Sequence, residues 1–433
     1  MKSIWNEDIK KPMFDTLRGD IKTDVLIIGG GLCGLLCAYM LKKAGADCTV
    51  TEAEEICGGI TDQTTAKLTV QHGLIYDTII QKYGHEMAFL YYHSQSEALK
   101  KMKEIATDIE CDLCSCDSFV YSLHDRTALE KEMVALQKMG CQAEFCEKTE
   151  LPFSVFGAVK IPNQARFHPL KFAYKIAKDL NIYEHTRVTR LTSNVAVTHH
   201  GAISAKKIIV ATHFPFLNRY GGYFLKMYQH RSYVLALKNA GNIQNMYVDH
   251  AMDGLSFRSY QDVLLLGGGG HRTGQRGGGW HELERVKQQY YPEATELGRW
   301  ATQDCMTLDS IPYIGQYSKL TPDWYAATGF NKWGMTSSMV SAMMLTDMIC
   351  RGKSEYETLY SPQRTMLHPQ LAVNVWESVK GLLTPTAPRC SHLGCALKYN
   401  KQEHSWDCPC HGSRFEEDGN LIDNPANKEK KQI

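Results

Sequence analysis

The chain of 433 residues has almost no imbalance of charge: 48 Lys and Arg stand against 47 Asp and Glu, for a formal net charge of +1. Apart from Lys428, Lys430 and Lys431 near the end there is no basic cluster, so nothing in the composition asks for nucleic acid or an anionic membrane. Long hydrophobic runs are missing too. No stretch approaches the roughly 18 apolar residues of a membrane-crossing helix, so no membrane span is expected. The opening residues, MKSIWNEDIKKPMFDTLRGD, hold charges where a secretory signal needs an apolar core, which predicts a cytoplasmic protein. Internal repeats and low-complexity segments are absent as well, excluding a repeat array.

What remains is ordinary globular composition, 43% hydrophobic and 22% charged, in a chain too long for one simple core. One large two-lobed domain with a small appendage fits that length. Cysteine is the one abundance, with fifteen residues. In a reducing compartment these are not a disulfide framework, so some should be metal ligands.

Thr23 to Ile28 is a short β-branched run ending in Gly29-Gly30-Gly31. An apolar helical pattern follows from Leu32 to Lys43, then a second strand from Asp47 to Glu52. This β-turn-α-β unit opens a doubly wound sheet. Ser94 to Ile109 and Thr127 to Met139 read as amphipathic helices around a strand at Phe119 to Leu123. Further strands are predicted at Lys206 to Thr212, at Asp262 to Leu266 before four glycines, and at Trp324 to Thr328. The last leads through a glycine turn, Gly329 to Gly334, into a helix from Met335 to Cys350 closed by Gly352.

Gly29, Gly31 and Gly34 form G-x-G-x-x-G in the context that motif requires, after a strand and opening a helix. There a pyrophosphate can approach main-chain amides at the positive end of the helix dipole, along Leu32 and Cys33. Glu52, eighteen residues past Gly34 and followed by Ala53, is placed to accept hydrogen bonds from an adenosine ribose. In TGFNKWGMT, the turn with Gly329, Lys332, Trp333 and Gly334 enters a helix whose first residues, Met335 and Thr336, could face a flavin; the helix dipole would stabilise an anionic reduced ring. Thr336 equally suits a plain helix cap.

These segments, with TTAKLTVQHG (64–73), IIVATHFPF (208–216) and LDSIPYIG (308–315), resemble the FAD-dependent oxidoreductases of the D-amino-acid and glycine oxidase type over roughly Lys22 to Arg351. The resemblance implies an α/β fold: a doubly wound, Rossmann-like FAD-binding domain with a substrate lobe of mixed sheet and helices. It also implies Thr64 and Thr65 near the flavin, Val188 at the adenine, and Ala211 and Thr212 along the dinucleotide. The expected division is 1–365 for this domain (FAD lobe mainly 20–85, 155–215 and 305–360; substrate lobe mainly 86–154 and 216–304), 366–389 as a Pro-containing linker, and 390–433 as a separate module.

That module is dense in metal-ligand residues. Cys390 and His392, then Cys408 and His411, present C-x-H and C-x-x-H fifteen residues apart. Two thiolates and two imidazoles suit tetrahedral zinc, and equally a Rieske [2Fe-2S] cluster, and spacing does not choose. The surrounding CSHLGC and CPCHGS resemble the two cluster loops of Rieske proteins. That resemblance implies a cluster on Cys390, His392, Cys408 and His411, with Cys395 and Cys410 the pair that in many relatives forms a loop-to-loop disulfide. It also gives Ser413 as a hydrogen-bond donor to a cluster sulfur, and Phe415 where high-potential members carry tyrosine. Only about 25 residues precede Cys390 after the flavin domain, too few for the base strands of a full Rieske domain. The module should therefore be a small, shortened β unit resting on the flavoprotein.

Cys111, Cys114 and Cys116, with Cys141 and Cys146, offer a second metal site, though ECDLCSCDSFVYS reads more simply as a strand. Arg258, His271 and Tyr233 are candidates for substrate contact, an arginine suiting a carboxylate. No catalytic base can be named. The functional expectation is oxidation of an amine or amino-acid C–N bond by hydride transfer to FAD. Electrons would leave singly through the cluster to a protein or small carrier, making a dehydrogenase rather than an oxidase. The rival is an electron-transfer or redox-sensing protein without small-substrate turnover.

Overall fold

The computed structural model describes residues 3–7, 9–217, 220–385 and 388–426; Lys428, Lys430 and Lys431 lie outside the described residues. Among them no helix is long and apolar enough to cross a membrane.

The strand Ile21–Ile28 lies between parallel neighbours Ala202–Val210 and Cys48–Thr51, with Ile28 level with Val210 and Thr51. The sheet continues through Ile182–Tyr183 on one side and Thr321–Thr328 with antiparallel Tyr313–Ser318 on the other. Burial on both faces explains the unbroken apolar runs, which central parallel strands require. The helices Leu32–Lys43 and Gly334–Arg351 cover one face and pack on each other. The second of these starts one residue ahead of its predicted position and ends at Gly352, whose φ of 83° is left-handed.

A nine-stranded mixed sheet forms the second lobe. Lys67–Leu68 and Gly157–Arg166, read with the FAD lobe from sequence, pair into this sheet, Lys67 opposite Arg166. Cys114 and Cys116 lie on the strand Cys114–Ser122. The helix expected from Ser94 begins earlier and spans His85–Thr107. The four glycines read as the end of a strand instead continue it, in Val263–Arg272. They are small because neighbours crowd them: a Cβ on Gly267 would lie 2.6 Å from Ser256 Oγ, and one on Gly270 2.7 Å from the His230 ring.

The carboxyl-terminal module is a four-stranded antiparallel sheet of three-residue strands: Lys398–Asn400, Ser405–Asp407, Arg414–Glu416 and Leu421–Asp423. Its loops rest on the flavoprotein. Arg272 donates to the carbonyls of Pro409 (3.3 Å) and Cys410 (3.2 Å), and Gln303 Nε2 to that of Gly412 (2.9 Å). The stretch 366–389 was read as a linker, yet it carries a 15-residue helix, Pro369–Leu383.

Candidate functional site

A cavity of about 1500 Å³ runs between the two lobes. At one end it is lined by Gly29, Gly31, Leu32, Cys33, Glu52, Ala53, Val188, Ala211 and Thr212, farther in by Thr64 and Thr65, and at the flavoprotein's last turn by Lys332, Trp333, Gly334 and Met335. Segments from six regions of the chain thus converge on one cavity. Three predicted residues shape the wall without lining it: Gly34, Gly329 and Thr336.

The local chemistry suits a dinucleotide. Gly31 occupies the cap position of the Leu32–Lys43 helix and offers no side-chain hydrogen bond; the Leu32 amide donates to Thr61 Oγ1 (3.0 Å), and Gly31, Leu32 and Cys33 line the cavity. Gly29 has φ +113°, and a Cβ there would lie 2.6 Å from the Ala211 carbonyl oxygen. A Cβ on Gly34 would overlap the Gly29 carbonyl oxygen. Gly34→Ala should therefore push helix from strand, cost about 2–3 kcal/mol, and give protein with a lowered flavin-to-protein absorbance ratio and an earlier thermal transition; full flavin content would refute this. The Glu52 carboxylate accepts from Gly30 N (2.7 Å) and Glu54 N (3.0 Å), which fixes it at the cavity wall with lone pairs to spare.

The start of the Gly334–Arg351 helix also lacks a side-chain cap. Its cap is Trp333, which supplies no side-chain bond, and Thr336 is not the cap: its hydroxyl lies 3.1 Å from His72 Nε2. The Trp333 ring stacks on His72, centroids 5.0 Å apart, and burial pushes that imidazole down to about 3, so it is neutral. Lys332, at φ 73°, donates to the Met252 carbonyl (3.0 Å).

Sequence reasoning missed what holds the Thr64–Thr65 loop. Its carbonyls are taken in series from behind: Gln63 by Trp300 Nε1 (2.9 Å), Thr64 by Trp5 Nε1 (2.7 Å), Thr65 and Ala66 by Arg258 (2.6 and 2.8 Å). Within the loop the Ala66 amide donates to Thr64 Oγ1 (2.9 Å), so main chain and side chain together fix its turn. Arg258 thus spends its guanidinium on main chain and does not line the cavity, in place of holding a substrate carboxylate. His271 lies outside the lining as well, stacked on Tyr233 at 5.6 Å. Tyr233 does line the cavity, but its hydroxyl donates to Glu403 of the carboxyl-terminal module (2.8 Å).

Lys67 was also missed. It lines the cavity with its ammonium 3.1 Å from Thr65 Oγ1 and 3.4 Å from Ser256 Oγ, and among the described residues no carboxylate pairs with it. Burial, helped by the nearby Arg258 charge, pushes it down to about 7. Its one sequence signal was its place in TTAKLTVQHG; the burial came from the fold.

In the module, the sulfurs of Cys395, Cys408 and Cys410 lie within 4.8 Å of one another, and Cys390 hydrogen bonds with Cys408. The His392 and His411 rings stand 5.0 Å apart. His411 Nδ1 is buried without a hydrogen-bond partner, the state of a nitrogen meant for a metal. Burial pushes both imidazoles down to about 4, keeping them neutral as ligands must be. The donor set therefore fits a cluster held by Cys and His. All four cysteines are free thiols here, including Cys395 and Cys410. The Cys408 hydrogen bond and burial push the Cys390 thiol up, partly opposed by the Ser413 hydroxyl that donates to it, while Phe415 is buried in the same apolar cluster as the four cysteines. A phenyl ring donates no hydrogen bond, so the midpoint potential should lie below the top of the Rieske range of about −150 to +300 mV. Phe415→Tyr should raise it in a redox titration; an unchanged or lower value would refute the argument.

With this geometry established, comparison with known proteins identifies the class. The model of the FAD dependent oxidoreductase family matches residues 24–348, and the chain belongs to that family. The Rieske [2Fe-2S] domain model matches 353–433, starting ahead of the residue 390 read from sequence; FAD and a [2Fe-2S] cluster are thus the cofactors. The putative Rieske 2Fe-2S iron-sulfur protein YhfW of Bacillus subtilis is 32% identical, covering 100% of this chain and 97% of that protein. Gamma-glutamylputrescine oxidoreductase of Escherichia coli is 24% identical over 79% of this chain and 87% of its own. Among solved structures, L-proline dehydrogenase from P. horikoshii shares the fold, with a TM-score of 0.67 at 18% identity over 80% of this chain and 98% of its own.

Proposed function

We propose that this protein oxidises a C–N bond of an amine or amino acid and passes the electrons through its Rieske module to a protein or small carrier, acting as a dehydrogenase rather than an oxidase. The names of its relatives, which act on gamma-glutamylputrescine and L-proline, support the substrate class. The observation that carries the electron route is a shared wall. Asn420 to Asn424 and Ala426, all of the module, line the same cavity as Gly29 and Glu52. Along the strand Thr295–Thr307, Gln303 bonds the carbonyl next to His411 while its neighbours Asp304 and Cys305 face the cavity. One strand thus separates the two sites.

When bound, FAD would supply a two-electron hydride acceptor and the cluster a one-electron carrier. The protein's residues do the rest. The clamped 63–66 loop and the two helix starts at Leu32 and Gly334 would hold and orient FAD, with the module forming part of the wall that limits water. Cys390, His392, Cys408 and His411 would hold the cluster. Lys67 accepts the proton that a substrate ammonium must lose before its carbon can give up a hydride.

The test is anaerobic. Amines and amino acids are added to the holoprotein while flavin absorbance and the EPR signal of the cluster are followed together. Bleaching with appearance of the reduced-cluster signal is the expected result. Bleaching without that signal removes the electron route, and failure of every amine and amino acid to bleach removes the substrate reading.

A further inference from the structure

The helix Pro369–Leu383 is amphipathic, but inside out. Its inner side is polar or small. Asn374, 3% exposed, joins Arg272 Nη1 (2.9 Å) to the Leu225 carbonyl (3.2 Å), and Ser378 Oγ lies 3.5 Å from His411 Nε2. Gly381 packs against the Cys410 sulfur, so closely that a Cβ would overlap it. The outer side carries Val373, Val375, Trp376, Val379, Leu382 and Leu383, with Trp376 65% and Leu383 75% exposed. A surface helix ordinarily turns its apolar stripe inward. This one turns it out, and Leu393 of the first cluster loop is exposed beside it; Arg389 ties that loop to the helix end through the carbonyls of Gly381 and Gly394.

We infer that the outer face of the 369–383 helix binds a lipid surface, lying in the plane of the bilayer with its valines, leucines and tryptophan in the headgroup–acyl boundary. Two observations choose lipid over a second copy of the chain. The first is size. A 15-residue helix is about 22 Å long and presents a stripe about 10 Å wide. That is well short of the roughly 800 Å² each partner buries in a stable protein complex, but sufficient for a helix sunk about 5–10 Å into a membrane interface. The second is charge. The exposed arc contains no Asp or Glu and carries Lys380 at its rim, complementary to anionic headgroups, while Glu377 is half-buried on the flank, close enough to act on the Arg272 charge. The near-neutral sequence argued against a basic membrane-binding run; here the binding term is apolar and becomes visible only once burial is known. The proposal stands whatever the substrate, and it sets the Rieske loops against the lipid.

The test uses the holoprotein with flavin and cluster intact. It is sedimented with vesicles of phosphatidylglycerol and phosphatidylcholine, beside the double variant Trp376→Glu, Val379→Glu. Both positions are exposed, and unchanged flavin and iron content reports that the variant is folded. The wild type should pellet with the vesicles, and the variant's partition should fall roughly ten-fold or more as two buried apolar groups become charges. A wild type that stays in solution with both kinds of vesicle, or a folded variant that pellets equally well, overturns the proposal. So does a wild type that light scattering shows to be a dimer, and the variant a monomer, with neither bound to vesicles; the face then belongs to a second copy.

Discussion

Glu403→Ala should loosen the Rieske module from the flavoprotein by about 3–5 kcal/mol, a factor of roughly 10² to 4 × 10³ in the docking equilibrium. The Glu403 carboxylate bonds Arg231 of the flavoprotein sheet at both oxygens, Arg414 of its own module at 2.7 Å, and the Tyr233 hydroxyl at 2.8 Å. Both guanidinium groups are buried, so removing the carboxylate strands Arg231, whose next nearest acid, Asp423, is 4.0 Å away. Because the module walls the flavin cavity, its release should make the flavin accessible to solvent and the chain beyond residue 352 sensitive to protease. Glu403→Gln, which keeps the shape but loses the charge and turns one accepting oxygen into an NH2 facing donors, keeps at most half of these bonds and should fall between wild type and alanine. Wild-type protease resistance and flavin fluorescence in the alanine variant would refute this role. Burial raises this carboxyl, and Arg231 with Arg414 more than offsets that, bringing it down to about 2. The folded value thus lies below the unfolded one of about 4.3. The contribution is complete above that unfolded value and is lost as pH falls toward about 2.

Lys67→Met should lower kcat/KM for an oxidisable amine by about 10²-fold or more, the usual effect of losing a positioned proton acceptor. Burial, then the Arg258 charge, depresses the lysine to about 7, opposed by Cys116, which lies two strands away across Gly157–Arg166. The neutral amine is the accepting form, so wild-type kcat/KM should rise with pH through about 7, and the methionine variant should lose that limb. Lys67→Arg separates two roles. Arginine keeps the charge but does not accept a proton, so it should be as impaired as methionine; recovery of activity with arginine would make Lys67 an anion anchor instead.

Much of the site was legible because its signals are local. The glycine turn, the strand before it and the acid ending the next strand are each set by a few adjacent residues, as are the two Cys-x-His loops. Helix positions held to within a few residues where caps and periodicity were clear, as at Gly352, and slipped where they were not, as at His85. Lys67, Trp5, Trp300 and the true employment of Arg258 were hidden. Each depends on a partner 59 to 237 positions away, such as Trp5 with Thr64 or Trp300 with Gln63, or on burial that no neighbouring residue announces. The glycine run at 267–270 looked like a strand end because what crowds it, Ser256 and His230, comes from other strands.

The sequence by itself determined the family and the two cofactors, because a phosphate-binding turn and a pair of metal-ligand loops are short-range arrangements in which spacing carries the chemistry. The tertiary structure alone decided that the carboxyl-terminal module forms part of the wall of the interlobe cavity, that a lysine lies buried in that cavity, and that the 369–383 helix shows its apolar side to solvent. These follow from which surfaces are removed from water when distant segments meet, a quantity that belongs to the folded chain.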